Sequence, residues 1–176
     1  MTEVFFTGCP EDDEHRYGHA LARYALKKVF GDDRLILRPG HKPLAVLPGA
    51  HVSISHSLNV CAAAVSDREI GLDIELTSRS ADRLIKLAGR FFAADELDYI
   101  KADPKRRFYE IWCRKESYVK YTGEGFSRSF PGFSVFKVGE RFSSFEIYGH
   151  FGCVCSLETT KIVPKFVDNA EISEYL

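Results

Sequence analysis

The order in which strand-type and helix-type hydrophobic patterns follow one another constrains this chain more than any other feature. A strand pattern over Glu3–Thr7 comes first, and apolar residues then recur at helical spacing from Asp12 or Asp13 to about Phe30. Three strand-like segments follow, at 52–55, 60–65 and 70–75. Because turn-type residues separate these three segments, we predict that they form an antiparallel meander.

The rest of the sequence returns to helices and then to strands. Helical spacing is found at 81–89, 93–102 and 105–121, and strand-like alternation at 133–138, 141–148 and 152–159. Gly123 and Gly125 follow the last of these helices and suit a helix end. Blocks in this order predict an α+β protein in two halves, residues 1–68 and 69–176, joined near Ser66–Gly71 and packed as one unit.

The composition excludes several classes of protein. The 176 residues carry 24 basic and 25 acidic side chains, so no overall basic field predicts binding to nucleic acid or to a membrane. The five cysteines show neither CxxC nor zinc-ligand spacing, which argues against a disulfide framework and favours a reducing compartment. No apolar run reaches the roughly 18 residues of a membrane span. We therefore expect a soluble cytoplasmic protein.

The first motif with chemical meaning is Gly71-Leu72-Asp73-Ile74-Glu75. Alternation along a strand places Asp73 and Glu75 on one face, with Leu72 and Ile74 on the other. Two adjacent carboxylates favour a divalent cation, and Mg²⁺ is commonly held by one or two carboxylates together with phosphate oxygens and water. By itself, however, a D-x-E strand is more typical of a solvated acidic face.

The second motif, Trp112-Cys113-Arg114-Lys115-Glu116-Ser117-Tyr118-Val119-Lys120, lies in the longest predicted helix. Trp112, Glu116 and Lys120 follow one another at intervals of four, so they share one helix face. Taken alone, this stripe fits a tryptophan that packs inward beside a surface Glu–Lys pair worth about 0.3–0.5 kcal/mol. Combined with the upstream strand, Glu116 supplies a third carboxylate and Lys120 a cation for a metal-bridged phosphate.

The third motif, Ile54-Ser55-His56-Ser57, ends a predicted strand. Ser55 offers a hydroxyl and His56 a ring N–H to an anion, and Lys42 in an upstream loop adds a full charge. A serine hydrolase would need a nucleophile elbow such as G-x-S-x-G, which this sequence lacks. In isolation, serines and a histidine here are also typical of a turn whose side chains bond nearby main chain.

Five segments, taken in order, resemble the 4′-phosphopantetheinyl transferases of the Sfp type. The segments are HKP at His41–Pro43, ISHS at Ile54–Ser57, GLDIE at Gly71–Glu75, RFF followed by Glu96 at Arg90–Glu96, and WCRKESYVK at Trp112–Lys120. The resemblance covers roughly residues 38 to 130. It implies a pseudo-dimer of two similar α+β halves, each an antiparallel sheet with a packed helix, and coenzyme A bound in the cleft between them.

The resemblance also implies roles for individual side chains. The metal ligands would be Asp73, Glu75 and Glu116, which would hold Mg²⁺ or, in its place, Mn²⁺. Lys120 would contact the pyrophosphate of coenzyme A, so the expected catalytic residues are Glu116, Lys120 and Asp73. At the 3′-phosphate or adenosine end of the coenzyme, the expected contacts are Lys42, Ser55 and His56. Glu96 would lie near the reacting phosphate and pair with Lys120. Arg16 would contact a phosphate.

Two departures from the family pattern concern the coenzyme A end. The segment ahead of the first predicted helix is short, so the basic residues that longer members carry there are absent. His41 stands where a glycine usually precedes Lys-Pro. We therefore expect altered contacts to coenzyme A, whereas the metal carboxylates are unaffected.

The implied activity is the transfer of phosphopantetheine from coenzyme A to a serine of an acyl, polyketide or peptidyl carrier protein, with release of 3′,5′-ADP. The alternative is a module that binds coenzyme A or a carrier protein without turnover.

A monomer is expected, because both parts of the site lie in one chain. An acidic carrier would meet a basic and apolar rim. The candidates for this rim are Lys101, Lys105, Arg106, Arg107, Tyr118 and Phe126.

Overall fold

The computed structural model describes residues 1–124, 130–159 and 161–176. It shows an α+β protein, as the order of the sequence patterns predicts. Its first elements are β1 (Thr2–Gly8), α1 (Glu14–Phe30), β2 (Leu35–Ile36), β3 (Leu44–Ala45), β4 (His51–Ser57) and β5 (Val60–Ser66). The later elements are β6 (Gly71–Leu76), α2 (Ala81–Phe91), α3 (Ala94–Lys101), α4 (Pro104–Thr122), β7 (Arg141–Ile147), β8 (His150–Ser156), β9 (Lys165–Phe166) and α5 (Asn169–Ile172).

The described strands form two main sheets and the small β2–β3 hairpin. The first sheet has the order β4-β5-β1-β9 and is antiparallel except that β9 runs parallel to β1. The second has the order β6-β8-β7 and is antiparallel throughout. The predicted meander is therefore wrong at its third strand. β1 takes the place beside β5, and β6 pairs with β8 in the other sheet.

The two sheets stack on each other between layers of helix. Val4 and Phe6 of the first sheet share a buried cluster with Leu72 and Ile74 of the second. α1 covers the outer face of the first sheet, whereas α2, α3 and α4 cover the outer face of the second. The end of the chain returns to the first sheet, where Ile172 of α5 packs into the α1 cluster. This layering places the carboxylate face of β6 against α4.

Helix α4, which carries the second motif, has well-defined ends. Asp103 accepts the N–H of Arg106 at 3.4 Å, and Pro104 occupies the first turn, where a missing N–H does no harm. Gly123 ends the helix with a φ of 72°, in the left-handed region. Gly125, the second predicted stop, lies outside the described residues. Within the ranges that the structure describes, no helix combines the length and the apolar character needed to cross a membrane.

The strand predicted at 133–138 does not form, and these residues lie in turns instead. Side chains from the helices bind the polar main-chain groups of this segment. The N–H of Val135 donates to Glu96 Oε1 at 2.8 Å, and the carbonyl of Phe133 accepts from Lys115 Nζ at 2.5 Å. Because these main-chain groups are already satisfied, the alternating apolar residues pack against the helices without needing a neighbouring strand.

Gly71 determines how closely α4 approaches β6. A Cβ at this position would lie 1.9 Å from the carbonyl oxygen of Ser117 and 2.6 Å from the amide nitrogen of Tyr121. Both atoms belong to the main chain of the helix, so neither can rotate away. Only glycine allows the helix to lie against the strand at this distance.

We expect Gly71→Ala to lower the free energy of unfolding by about 2–3 kcal/mol, because the added methyl group forces α4 away from β6. Gly89→Ala in α2 is the matched control. A Cβ there meets nothing within 4 Å, and alanine favours a helix interior, so stability should be unchanged or slightly higher. Urea unfolding of both variants measures the difference. Equal stability of the two variants would contradict the close packing of α4 on β6.

Candidate active site

Three serines on one face of β4 join this strand to β6. Their hydroxyl oxygens accept main-chain N–H groups of β6, Ser53 from Leu72 at 2.9 Å, Ser55 from Ile74 at 3.3 Å and Ser57 from Leu76 at 3.0 Å. We call these three contacts the serine seam. Because both strands alternate with a period of two, every second residue of β4 meets every second N–H of β6.

Asp73 lies beside the serine seam and is only 4% exposed. Its Oδ1 accepts hydrogen bonds from the Ser55 hydroxyl at 2.9 Å and from Lys120 Nζ at 2.8 Å. Lys120 also donates to Ser55 Oγ at 3.0 Å. The other oxygen, Oδ2, is buried and has no hydrogen-bond partner among the described residues. A buried carboxylate oxygen without a donor is costly, so this atom is available to a ligand.

Glu75 is the second carboxylate on this face of β6, and it is partly buried. The indole N–H of Trp112 donates to its Oε1 at 3.1 Å, and the Ser57 hydroxyl donates to its Oε2 at 3.4 Å. Burial, followed by the negative charge of Asp73, raises the pKa of Glu75. The bond from Trp112 also connects α4 to β6 at a point beyond the Gly71 contact.

Glu116 lies one helical turn beyond Trp112. Burial raises the pKa of its carboxyl group to about 7, and the charge of Asp73 adds to this effect, whereas Lys120 opposes it. The charge of Glu75 acts in the same direction as that of Asp73. The three carboxylates therefore repel one another when no cation lies between them.

The helix side chains of this site border a cavity of about 720 Å³ that both parts of the chain line. Trp112, Glu116 and Lys120 all face it, which confirms the predicted helix face. Lys42 enters from the first part of the chain, and the aromatic rings of Phe91 and Phe130 form an apolar wall. A cavity of this size with a few charged groups suits a small-molecule ligand or cofactor.

Comparison with known proteins decides the family. The model of the 4′-phosphopantetheinyl transferase superfamily matches residues 69–165, which include β6 and α4. A 4′-phosphopantetheinyl transferase of Bacillus subtilis is 31% identical over 94% of this chain and 82% of its own length. The chain belongs to this superfamily.

Two further relatives are similar over a smaller share of their length. 4′-Phosphopantetheinyl transferase Sfp of Bacillus subtilis strain 168 is 32% identical over 71% of this chain and 59% of its own length. 4′-Phosphopantetheinyl transferase HetI of Nostoc is 31% identical over 65% of this chain and 55% of its own length. Because all three relatives are 4′-phosphopantetheinyl transferases, this member of the superfamily is an enzyme of the same class.

Lys42 lies at the cavity, as expected for a residue that contacts the ligand. Its ammonium group donates to the carboxylate of Glu69 and, at 2.5 Å, to the carbonyl of Ile70. Burial lowers the pKa of Lys42, and the contact with Glu69 opposes this shift. Glu69 therefore holds this lysine at the cavity wall, a role that the sequence patterns did not reveal.

Ser55 and His56 are not among the described residues that line the cavity. Ser55 instead contacts Asp73 and Lys120, so its hydroxyl lies in the carboxylate site. A contact of Ser55 with the coenzyme stays a prediction. His56 is exposed, and its ring lies 4.8 Å from that of His15. Partial loss of solvent around the ring, followed by the charge of His15, lowers the pKa of His56. A contact of His56 with the coenzyme stays a prediction.

Arg16 and Glu96 have other partners in this structure, and a contact of Arg16 with the coenzyme stays a prediction. Arg16 donates through Nε and Nη2 to the main-chain oxygen of Leu176, at 3.1 and 3.0 Å. Glu96 is completely buried and pairs with Lys115 at 2.9 Å, not with Lys120. The predicted Glu96–Lys120 pair is wrong, because Lys120 is bound to Asp73 and Glu96 is enclosed between α3 and α4 beside a different lysine.

The predicted metal ligands are neighbours but do not form a coordination group as they stand. In residues 1–124, 130–159 and 161–176, no three His, Cys, Asp or Glu side chains are close enough together to hold a metal ion. The charge of Asp73 nevertheless contributes to the raised pKa values of Glu75 and Glu116, and Lys120 pairs with Asp73 at 2.8 Å.

The predicted rim for a carrier protein is only partly available. Arg107 packs over the Tyr99 ring and Tyr118 is buried, whereas Lys101 is exposed and pairs with Asp98. Phe126 lies outside the described residues. The remaining two, Lys105 and Arg106, are also exposed. They border an open groove of about 400 Å³ whose basic side chains are Lys105, Arg106 and Arg79.

The raised pKa of Glu116 predicts that the metal-free protein loses folding stability as the pH rises. Stability falls as the pH rises from the ordinary carboxyl value of 4.5 to about 7, because the folded state holds its proton more tightly than the unfolded state. Glu116→Gln removes this loss. We expect the variant to be about 1–2 kcal/mol more stable than the wild type near pH 8, and of similar stability near pH 4.

Urea unfolding in EDTA at the two pH values measures this difference, with Glu11→Gln, an exposed glutamate ahead of α1, as the control. A Glu116→Gln variant that is less stable than the wild type near pH 8 would show that the carboxylate is not held against repulsion.

Proposed function

We propose that this enzyme transfers 4′-phosphopantetheine from coenzyme A to a serine of a carrier protein, with Mg²⁺ as its cofactor. The observation that carries the proposal is that Glu116 and Lys120 line one cavity while Lys120 binds Asp73, whose charge adds to the raised pKa values of Glu75 and Glu116. Two of the carboxylates come from a strand, whereas the third and the lysine come from a helix. Membership in the superfamily supports the transferase class, and the proposal adds the donor, the metal and the acceptor.

The donor set fits Mg²⁺, which prefers carboxylate oxygens, and Mn²⁺ accepts the same ligands. Asp73 Oδ2 is buried without a donor among the described residues, and mutual repulsion adds to the raised pKa values of Glu75 and Glu116. A bound cation would relieve both effects, and Asp73, Glu75 and Glu116 would hold it. Bound Mg²⁺ would neutralise the charge that develops on the phosphate oxygens.

The side chains of the site have complementary tasks in this reaction. Glu116 borders the cavity and is placed to accept the proton of the carrier serine. The new bond joins the serine oxygen to the phosphorus that bears pantetheine, and the bond that breaks joins this phosphorus to the 3′,5′-ADP oxygen. Lys120 donates to the pyrophosphate oxygens and stabilises the leaving group.

Coenzyme A matches the lining of the cavity. Lys42 and Lys120 supply the positive charges that its phosphates require. Phe91, Trp112 and Phe130 provide an apolar wall for its uncharged pantetheine arm. The same lining comes from both parts of the chain, so the donor bridges them.

We propose that the acceptor docks at the basic groove of Arg79, Lys105 and Arg106, where an acidic carrier protein finds complementary charge. We also propose that the chain is a pseudo-dimer, in which α1 with the first sheet and α4 with the second sheet are two similar halves. The whole chain would then act as a monomer in the cytoplasm. In this arrangement the cavity lies between the halves.

The test is incubation with Mg²⁺, coenzyme A and a set of apo carrier proteins, followed by mass spectrometry of the carriers. We expect one carrier to gain the mass of a single phosphopantetheine, and EDTA in place of Mg²⁺ to prevent the gain. Glu116→Gln should slow the reaction by about 10²-fold or more, because it removes the proton acceptor.

Glu11→Gln serves again as the matched control and should react at the wild-type rate, since this residue is exposed ahead of α1. No mass gain with any carrier would refute the proposed activity. Undiminished transfer by Glu116→Gln would refute the role given to this residue.

A further inference from the structure

Lys115 and Glu96 form an ion pair that is completely enclosed, with neither side chain exposed. Lys115 precedes Glu116 in α4 but does not line the cavity. Its Nζ lies 2.9 Å from Glu96 Oε2 and donates to the carbonyls of Phe130 at 2.8 Å and Phe133 at 2.5 Å. The ammonium group also lies 4.0 Å from the centre of the Phe133 ring. The proposed reaction uses neither member of the pair.

The pair binds main-chain groups that precede α4 and others that follow it in the sequence. Glu96 Oε2 accepts the N–H of Ala93, which starts α3, and Glu96 Oε1 accepts the N–H of Val135. Three of the four main-chain groups named here therefore belong to the segment 130–135, which contains a short helical turn. This segment depends on the two side chains for its position, because buried main-chain groups require partners.

The same segment forms part of the cavity wall. Phe130 and Pro131 line the cavity, and the Phe130 ring lies 5.5 Å from the ring of Trp112. Trp112 in turn donates to Glu75, so a shift of the segment reaches both the apolar wall and the carboxylate site.

The geometry points to Lys115 as a positioning residue. We propose that Lys115, together with Glu96, fixes the segment 130–135 and thereby sets the width of the apolar side of the cavity, where the uncharged arm of the donor lies. The identity of the donor in this inference rests on the proposed function. The placement of the segment by the ion pair is independent of it.

A purely structural role for the pair predicts a different outcome from a positioning role. A buried ion pair can often be replaced by apolar side chains of similar volume without loss of stability. If the pair only supports packing, Lys115→Met combined with Glu96→Leu should therefore restore a normal cavity. If the pair positions the segment, the same double variant should fold well and still lose the hydrogen bonds that hold Phe130 and Phe133.

The experiment compares the wild type, the double variant and a control in three measurements: urea unfolding, Trp112 fluorescence without coenzyme A, and transfer kinetics with coenzyme A as the varied substrate. Trp112 is the chain's single tryptophan, so its emission reports changes around this ring, which contacts Phe130 on one side. The control replaces another Lys–Glu pair, Lys165→Met with Glu3→Leu, which joins β9 to β1 and is partly exposed.

We expect the double variant to unfold as cooperatively as the wild type, to emit at longer wavelength and to show a KM for coenzyme A raised about tenfold, with kcat changed much less. The control should keep the wild-type KM and emission. A folded double variant with unchanged KM and unchanged emission would overturn the proposal.

Glu96→Gln covers the case in which the double variant does not fold. This substitution keeps the shape and one acceptor oxygen, and it should move KM and emission in the same direction by a smaller amount. A folded Glu96→Gln protein with wild-type values of both would likewise overturn the proposal. An inactive wild type would refute the proposed function alone, because the emission of Trp112 would still decide whether Lys115 positions the segment.

Discussion

The serine seam is the interaction on which the rest of the site depends. Hydroxyl groups of β4, rather than a main-chain ladder, join the two sheets at β6. Ser55 and Ser57 accept a main-chain N–H and also donate to a carboxylate, Asp73 and Glu75 respectively. The atoms that connect the sheets are thus the atoms that place the acidic side chains. α4 then lies close enough to add Glu116 and Lys120, because Gly71 has no side chain.

The resulting site works against the stability of the metal-free protein. Asp73 keeps one buried oxygen without a donor among the described residues, and burial together with the charge of Asp73 raises the pKa of Glu116 to about 7. Such costs are common where a site is arranged for a ligand rather than for itself. The close contact at Gly71 and the bond from Trp112 to Glu75 hold the carboxylates together despite this repulsion.

Periodicity in the sequence predicted which residues of α4 and of β6 share a face, but not which strand lies beside β6. The shared face of Trp112, Glu116 and Lys120 followed from helical spacing, and the α+β class followed from the order of the blocks. The sheet that contains β6 could not be predicted, because serine side chains take the place of a ladder. The Glu96 partner was missed since Lys115 and Lys120 are both near Glu116 in sequence, and only packing decides which one is buried.

Amide hydrogen exchange followed by NMR tests the serine seam most directly. The N–H groups of Leu72, Ile74 and Leu76 should be protected in the wild type although no strand ladder binds them on that side. In Ser55→Ala the N–H of Ile74 should exchange faster by about tenfold or more, while the amides of β5 and β8 keep their protection. Fast exchange of all three groups in the wild type, or an unchanged Ile74 in the variant, would contradict the role of the seam.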